Sequence, residues 1–440
     1  MGYTVKDILR LEVAPALGCT EPTAIALGAA AAASLLPGQG AVDRMETWLD
    51  PNIFKNGLGV SIPGTGGLSG LDLATALGAL AGDPGLRMEV LQPVTRKDVN
   101  KALALVDQGR VRVNLMADHK GLYVKTRIAA GNDIAESVIQ GLHDNIVSLS
   151  LNGEIVKKNA LLSPGSGQGG NSIFDLECWL KDLSMERILS LVNDLDTEDL
   201  AFIRTGIDMN MALARYGLAH KSGLAVGATL ELLAEKGLMA RDMIHAARVL
   251  TSAAADARMA GAALPAMSSA GSGNHGLTAI LPVKAVADHL GAGDEELLRA
   301  VGLSHVVTAW VKSHTGRLAA ICACSVAAGA GAAAAIAQLL KGDGNQIGGA
   351  VENIIEDLAG VICDGAKNAC ALKLDTAAAT AVRSALFAVN GLTVKMTDGI
   401  VGGSAQKTIQ NVGILSSQGM VATDRTILKI MMDKIKGQHP

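Results

Sequence analysis

Residues 313–340 read SHTGRLAAICACSVAAGAGAAAAIAQLL, and after a short polar break residues 352–373 read ENIIEDLAGVICDGAKNACALK. The run from Leu318 to Leu340 carries no charge, which makes it long enough to be weighed as a membrane span. It is mostly Ala and Gly rather than Leu, Ile or Phe, and no Trp or Tyr belt flanks it, so insertion would be weakly driven. A helix that is apolar all round also suits the centre of a large soluble protein. The run is therefore read as the middle of a large all-α domain.

The same stretch holds four of the six cysteines. Cys322 and Cys324 precede the apolar helix, and Cys363 and Cys370 open the next one, so a metal centre between two helices would collect three or four thiols. The spacings are CxC and Cx6C, not the paired CxxC knuckles of structural zinc. Three thiolates and one vacant iron would suit a cluster that binds substrate as a Lewis acid. Cluster, zinc and plain burial all stay open on spacing alone. His305 and His314 flank VVTAWVKS near the first pair. His314, polar-flanked in SHTGR, is close enough in sequence to reach a metal-bound substrate; a helix-terminal histidine is the alternative.

Outward from this stretch, 440 residues suffice for two or three domains with a buried core. A formal charge of −4 without a Lys/Arg block, and 2% aromatic residues, argue against nucleic acid and favour a small-molecule partner. MGYTVKDILRLEV mixes charges where a leader would have a basic start and an apolar block, so no cleavable leader is expected and the cytoplasm is the expected compartment. There, six cysteines are not expected to form disulfides.

Near the N-terminus, Pro22 suits the first turn of a helix, which puts Cys19 in PALGCTEP at or before a helix start where the dipole would favour its thiolate. A small buried residue is the competing reading. In DPNIFKNGLGVSIPGTGG the glycines mark a loop approaching a ligand closely, with Lys55 and Asn56 as a cation and an amide for a small anion; GTGG lacks the Lys-Ser or Lys-Thr of a P-loop. Residues 86–158 read as strand, helix, strand, strand, helix, strand, the order of a ferredoxin-like βαββαβ domain inserted in the helical one. The chain thus divides into 1–85, the first part of the helical domain, the insert 86–158, and 159–440. The insert has no cysteine and is expected to serve structure or an interface. A Gly/Ser/Pro linker follows, then a helix in which Cys178 is expected to be buried. In SSAGSGNHG, Ser269, Gly271, Ser272, Gly273 and Asn274 sit at a helix start, a cradle for a carboxylate.

PALGCTEP, KNGLGVSIPGTG, SSAGSGNHG, and the CAC segment followed by ICDGAKNAC together resemble the L-cysteine desulfidases of the serine dehydratase alpha-chain superfamily, including YhaM-like bacterial proteins. The resemblance runs in order over nearly the whole chain. It implies an oxygen-sensitive 4Fe-4S cluster without pyridoxal phosphate, and β-elimination of L-cysteine to hydrogen sulfide, ammonia and pyruvate. By motif it implies Cys363 and Cys370 as cluster ligands with one thiol of the CAC pair, Cys322 first and Cys324 second, since Ala323 stands where the family often has glycine. No cysteine follows Cys370, so substrate or solvent would fill the fourth iron site. Cys19 is the expected base, and His314 is placed beside the reaction. The alternatives are a cluster-dependent L-serine dehydratase, a pyridoxal phosphate lyase, for which no lysine and phosphate cup stand out, and a non-catalytic metal-binding redox sensor. A homodimer is compatible with this reading, and no membrane partner is expected.

Overall fold

The computed structural model describes residues 2–37, 42–163, 173–316 and 319–438. The chain is α+β, with a large helical unit and one mixed sheet. The helical unit is built around Ala327–Leu339, whose AAGAGAAAAIAQL sequence is buried along nearly its whole length. Small side chains let its neighbours approach closely. A Cβ at Gly331 would lie 2.3 Å from the Ser304 carbonyl oxygen. Helices Gly273–Leu290, Asp294–Thr315, Gly344–Leu358 and Cys370–Val389 surround it. This is the buried central helix read from residues 318–340. Among the described residues no helix is long and apolar enough to cross a membrane.

The sheet departs from the expected insert. Its strand order is Val111–Leu115, Arg44–Leu49, Tyr123–Ala130, Asp133–Gln140, Ile146–Leu151, Glu154–Ile155, with the first pair parallel and the rest antiparallel. Two expected elements do not form. Residues 133–140 are a strand rather than a helix: Ala135, Ser137 and Ile139 alternate inward, and Gly131-Asn132 makes a two-residue hairpin loop with Gly131 at φ 59°. Residues 84–89 are a 3₁₀ turn rather than a strand, because the apolar pair Val90-Leu91 is buried consecutively and not in alternation. A strand from outside the expected insert, Arg44–Leu49, lies second in the sheet. Helices Thr20–Ala33 and Leu71–Ala81 cover one face and share its apolar core. The boundary drawn at residue 86 therefore does not divide the fold, and the βαββαβ order is replaced by a sheet unit that begins near Thr20.

Two smaller expectations also change. Cys178 is exposed, because helix Ile173–Lys181 buries Ile173, Leu176 and Leu180 and turns the cysteine away. The Gly/Ser/Pro linker at 164–172 lies outside the described residues.

One short ladder joins the two regions that form the site. Pro15–Leu17 pairs antiparallel with Pro265–Met267, and Ser268 bonds the backbone of Ala14 through both its amide and its hydroxyl. The GCTEP turn is thereby held against the SSAGSGNHG loop, about 250 residues later in sequence.

Candidate functional site

Segments remote in sequence wall one cavity on the seam between the sheet unit and the helical unit. Its lining includes Cys322, Cys324, Cys363 and Cys370 with Cys19, Asn56, Gly271, Ser272 and Asn274. The two cysteine loops are stitched by an Ile321–Ile362 bridge, with Cys322 N donating to Val361 O at 2.8 Å and Cys363 N to Ala320 O at 2.5 Å. That stitch carries the first pair of thiols to the second. Cys370 arrives as the first residue of helix Cys370–Val389.

The four thiols differ in electrostatics. The Cys322 thiol is pulled down to about 6 by the hydrogen bond from Cys324 and further by Ser325, against its burial. That same bond, with burial, pushes Cys324 well above the ordinary thiol range. Burial raises Cys363, and raises Cys370 to about 11. Within the CAC pair this hydrogen bond favours the thiolate on Cys322 over Cys324. Beside them, Lys367 and Lys373 both bind Asp364, whose carboxyl is held at about 2 although burial pushes it up. This lysine staple fixes the 362–370 loop.

Among the described residues no three His, Cys, Asp or Glu side chains converge closely enough to hold a single metal ion. A polynuclear cluster presents several irons to its ligands, so cysteines spread around one cavity need not meet at a point. An all-sulfur donor set of four thiols facing one space fits such a cluster better than a hard, oxygen-seeking ion.

Cys19 is the N-cap of helix Thr20–Ala33, as its position before Pro22 suggests. Its electrostatics run opposite to expectation. The thiol is fully enclosed and donates to Glu21 Oε2 at 2.9 Å, and burial together with the Glu21 charge pushes it well above the ordinary thiol range. Desolvation outweighs the helix dipole here, so Cys19 is held as a thiol and not as a base. Glu21, expected from the sequence only as a possible helix cap, lies in the first turn; it also accepts from Thr20 Oγ1 at 3.0 Å and from Asn56 Nδ2 at 3.2 Å, and lies 3.9 Å from His143 Nε2. His143 comes from the turn after strand Asp133–Gln140, so the sheet unit contributes directly to the site.

The SSAGSGNHG loop divides its tasks. Gly271, Ser272 and Asn274 face the cavity, while Ser269 is fully buried behind it, hydrogen-bonded to His305 Nδ1 at 2.9 Å. Gly273 is required by contact: a Cβ there would lie 2.5 Å from Arg258 Nε. His275 Nδ1 donates to Ser269 O at 3.1 Å, and burial with the nearby Lys312 charge lowers its pKa to about 3, leaving a neutral ring with Nε2 as acceptor. His305 supports the loop from behind. Burial lowers its pKa to about 4.

Two expected residues face elsewhere. His314 is absent from the cavity wall, where Lys312 from the same helix appears instead. Two residues along a helix is roughly a 200° turn, so the two side chains cannot share a face. Lys55 is fully buried and paired with Asp424 of helix Val421–Gln438, lining a neighbouring cleft and not this cavity. Asp424→Asn should leave that ammonium unpaired. The expected cost is about 2 kcal/mol or more, moderated because Asp424 keeps 23% of its side chain exposed, and urea unfolding would measure it.

The family model for the serine dehydratase alpha chain matches residues 86–429. This chain belongs to the serine dehydratase alpha chain family. A UPF0597 protein of Desulforapulum autotrophicum is 72% identical over 437 residues, covering 99% of this chain and 98% of the relative. One from Clostridioides difficile is 41% identical, covering 98% and 99%, and the UPF0597 protein YhaM of Shigella flexneri is 42% identical, covering 97% and 96%. The family name describes a lyase-type enzyme. The serine dehydratase alpha chain match takes in Arg258, His275 and all four clustered cysteines, whereas Cys19, Glu21 and Asn56 precede it.

Proposed function

We propose that this chain is an L-cysteine desulfidase, a carbon-sulfur lyase that eliminates sulfide from L-cysteine with a 4Fe-4S cluster held by Cys322, Cys363 and Cys370. The observation that carries this reading is the joining, in one cavity, of four thiols with the polar side chains of Glu21, Asn56, Arg258, Ser272 and Asn274. A cluster with three protein thiolates supplies an open iron, a soft Lewis acid matched to a thiolate leaving group.

The rest falls to the chain's own residues. The amides of Gly273 and Asn274 open helix Gly273–Leu290 and suit the substrate carboxylate. For the α-proton, His275 supplies a neutral imidazole on the cavity wall, a weak acceptor because burial and the Lys312 charge oppose its protonation. Loss of that proton and cleavage of the Cβ–S bond give sulfide and aminoacrylate. The latter tautomerises and takes up water to give pyruvate and ammonia. Cys19 remains a thiol donor to Glu21 and is not the base.

The description of the matching family model favours a second reading, dehydration of L-serine at the same site. Protein purified without air is expected to be brown, to bleach in air, and to make sulfide and pyruvate in equal amounts from L-cysteine. Pyruvate from L-serine at a higher kcat/KM would transfer the assignment to the dehydratase. A colourless protein, inactive on both after anaerobic reconstitution, would end both readings.

A further inference from the structure

Among the described residues the cavity holds one buried cation, Arg258, with no carboxylate paired to it, and one carboxylate, Glu21, whose nearest cationic neighbour is His143 at 3.9 Å. Arg258, on helix Met243–Met259, is 2% exposed. Its guanidinium donates to two neutral acceptors, Asn274 Oδ1 at 2.9 Å and Gly18 O at 2.5 Å, and its Nε has no partner among the described residues. A buried cation so placed carries a desolvation cost that an arriving anion would offset. The amides that open helix Gly273–Leu290 lie against the same guanidinium, and the N-cap Ser272 leaves them uncapped by its side chain. Both features call for an anion at one spot.

Glu21 is the complement. It is 7% exposed and lines the cavity, and its described hydrogen bonds come from a thiol, a hydroxyl and an amide. Although burial pushes its carboxyl up, the neighbouring His143 and the Cys19 thiol hold it below the ordinary range, so it is ionised. Gly18 accepts from Arg258 and the next residue, Cys19, donates to Glu21, so one peptide step links the two charges.

We infer that Arg258 and Glu21 clamp the two charges of a free α-amino acid, Arg258 taking the carboxylate and Glu21 the ammonium. This rests on reading the cavity as the active site, and it names the substrate class by charge pattern. With the thiol side of the cavity receiving the β-substituent, three fixed points discriminate between enantiomers, and the proposed function makes L the form that is bound. Amines, simple carboxylates and blocked amino acids each lose one point.

The test is calorimetric titration of the full chain, purified anaerobically, with L-alanine, D-alanine, propionate and ethylamine. L-Alanine has no leaving group, so its binding is independent of turnover. It is expected to bind at least about 30-fold more tightly than the other three, and Glu21→Gln to lose a comparable factor for L-alanine, since removing one partner of a buried charge pair is costly. Arg258→Lys should retain part of the affinity. Absence of L-alanine binding, propionate or ethylamine binding as tightly, or Glu21→Gln binding L-alanine like the parent would each overturn the clamp. Should Glu21→Gln fail to fold by circular dichroism, the ligand series on the parent decides. Clamp-dependent L-alanine binding without sulfide release would sink the desulfidase reading alone. Sulfide release with undiminished affinity in Glu21→Gln would sink the clamp alone.

Discussion

Cys363→Ser and Cys370→Ser are each expected to abolish both colour and lyase activity while leaving the fold intact. Cys363 is tied by its backbone to Ala320, and Cys370 begins a twenty-residue helix whose other face is core, so neither sulfur anchors the fold. Serine is a hard, weakly acidic ligand and would not hold a cluster edge. Losing a Lewis acid that contributes several kcal/mol to leaving-group departure corresponds to roughly 10³-fold or more in rate. Iron and acid-labile sulfide per chain, read beside the visible spectrum, separate cluster loss from misfolding. Cys324→Ser should be milder than Cys324→Ala, because a hydroxyl can still donate to Cys322 as the thiol does. Exposed Cys178→Ser should change nothing. If Cys363→Ser kept full iron content and rate, the proposed ligand set would be wrong.

Gly276→Ala should cost about 3 kcal/mol or more and empty the site with it. Its added Cβ would stand 1.9 Å from the Met267 carbonyl oxygen and 2.9 Å from the Ser268 carbonyl carbon, both rigid backbone. That backbone is the strand that holds the GCTEP turn against the SSAGSGNHG loop, so any relief moves both walls of the cavity. Gly348→Ala makes the opposite comparison. There the new methyl meets only Ala405 Cβ at 3.8 Å within a regular helix, and a gain of about 0.5–1 kcal/mol is expected from helix propensity. Urea midpoints of the two variants would be displaced in opposite directions. A Gly276→Ala protein of parental stability would contradict the packing described around that residue.

Much of the helical unit was legible because its signal is local. An uncharged Ala/Gly run has one sensible place in a folded protein, and residues 327–339 occupy it. Cys19 at a helix start followed from Pro22, and the cysteine pairs at helix edges followed from where polar breaks fall. The sheet was harder. Residues 133–140 carry enough Ala, Glu and Gln to pass for a helix, and only the hairpin at Gly131-Asn132 with its cross-strand partners decides otherwise. That Arg44–Leu49 is a neighbour of residues 111–115 depends on pairing across more than sixty residues, which no local pattern records.

The site divides along the same line. The residue types proposed for the chemistry, the four thiols, the small-residue loop and the helix-start cysteine, were legible in the sequence itself, since each is a composition that a plain core does not need. Their convergence on one cavity was decided by tertiary structure. So were the inclusion of Glu21, Arg258, His143 and Lys312 in its wall and the exclusion of His314 and Lys55, because each depends on which helix face turns inward. The direction of the Cys19 shift was likewise settled by folding: a helix dipole is a local property, but desolvation beside a buried carboxylate exists only once the chain has closed around both.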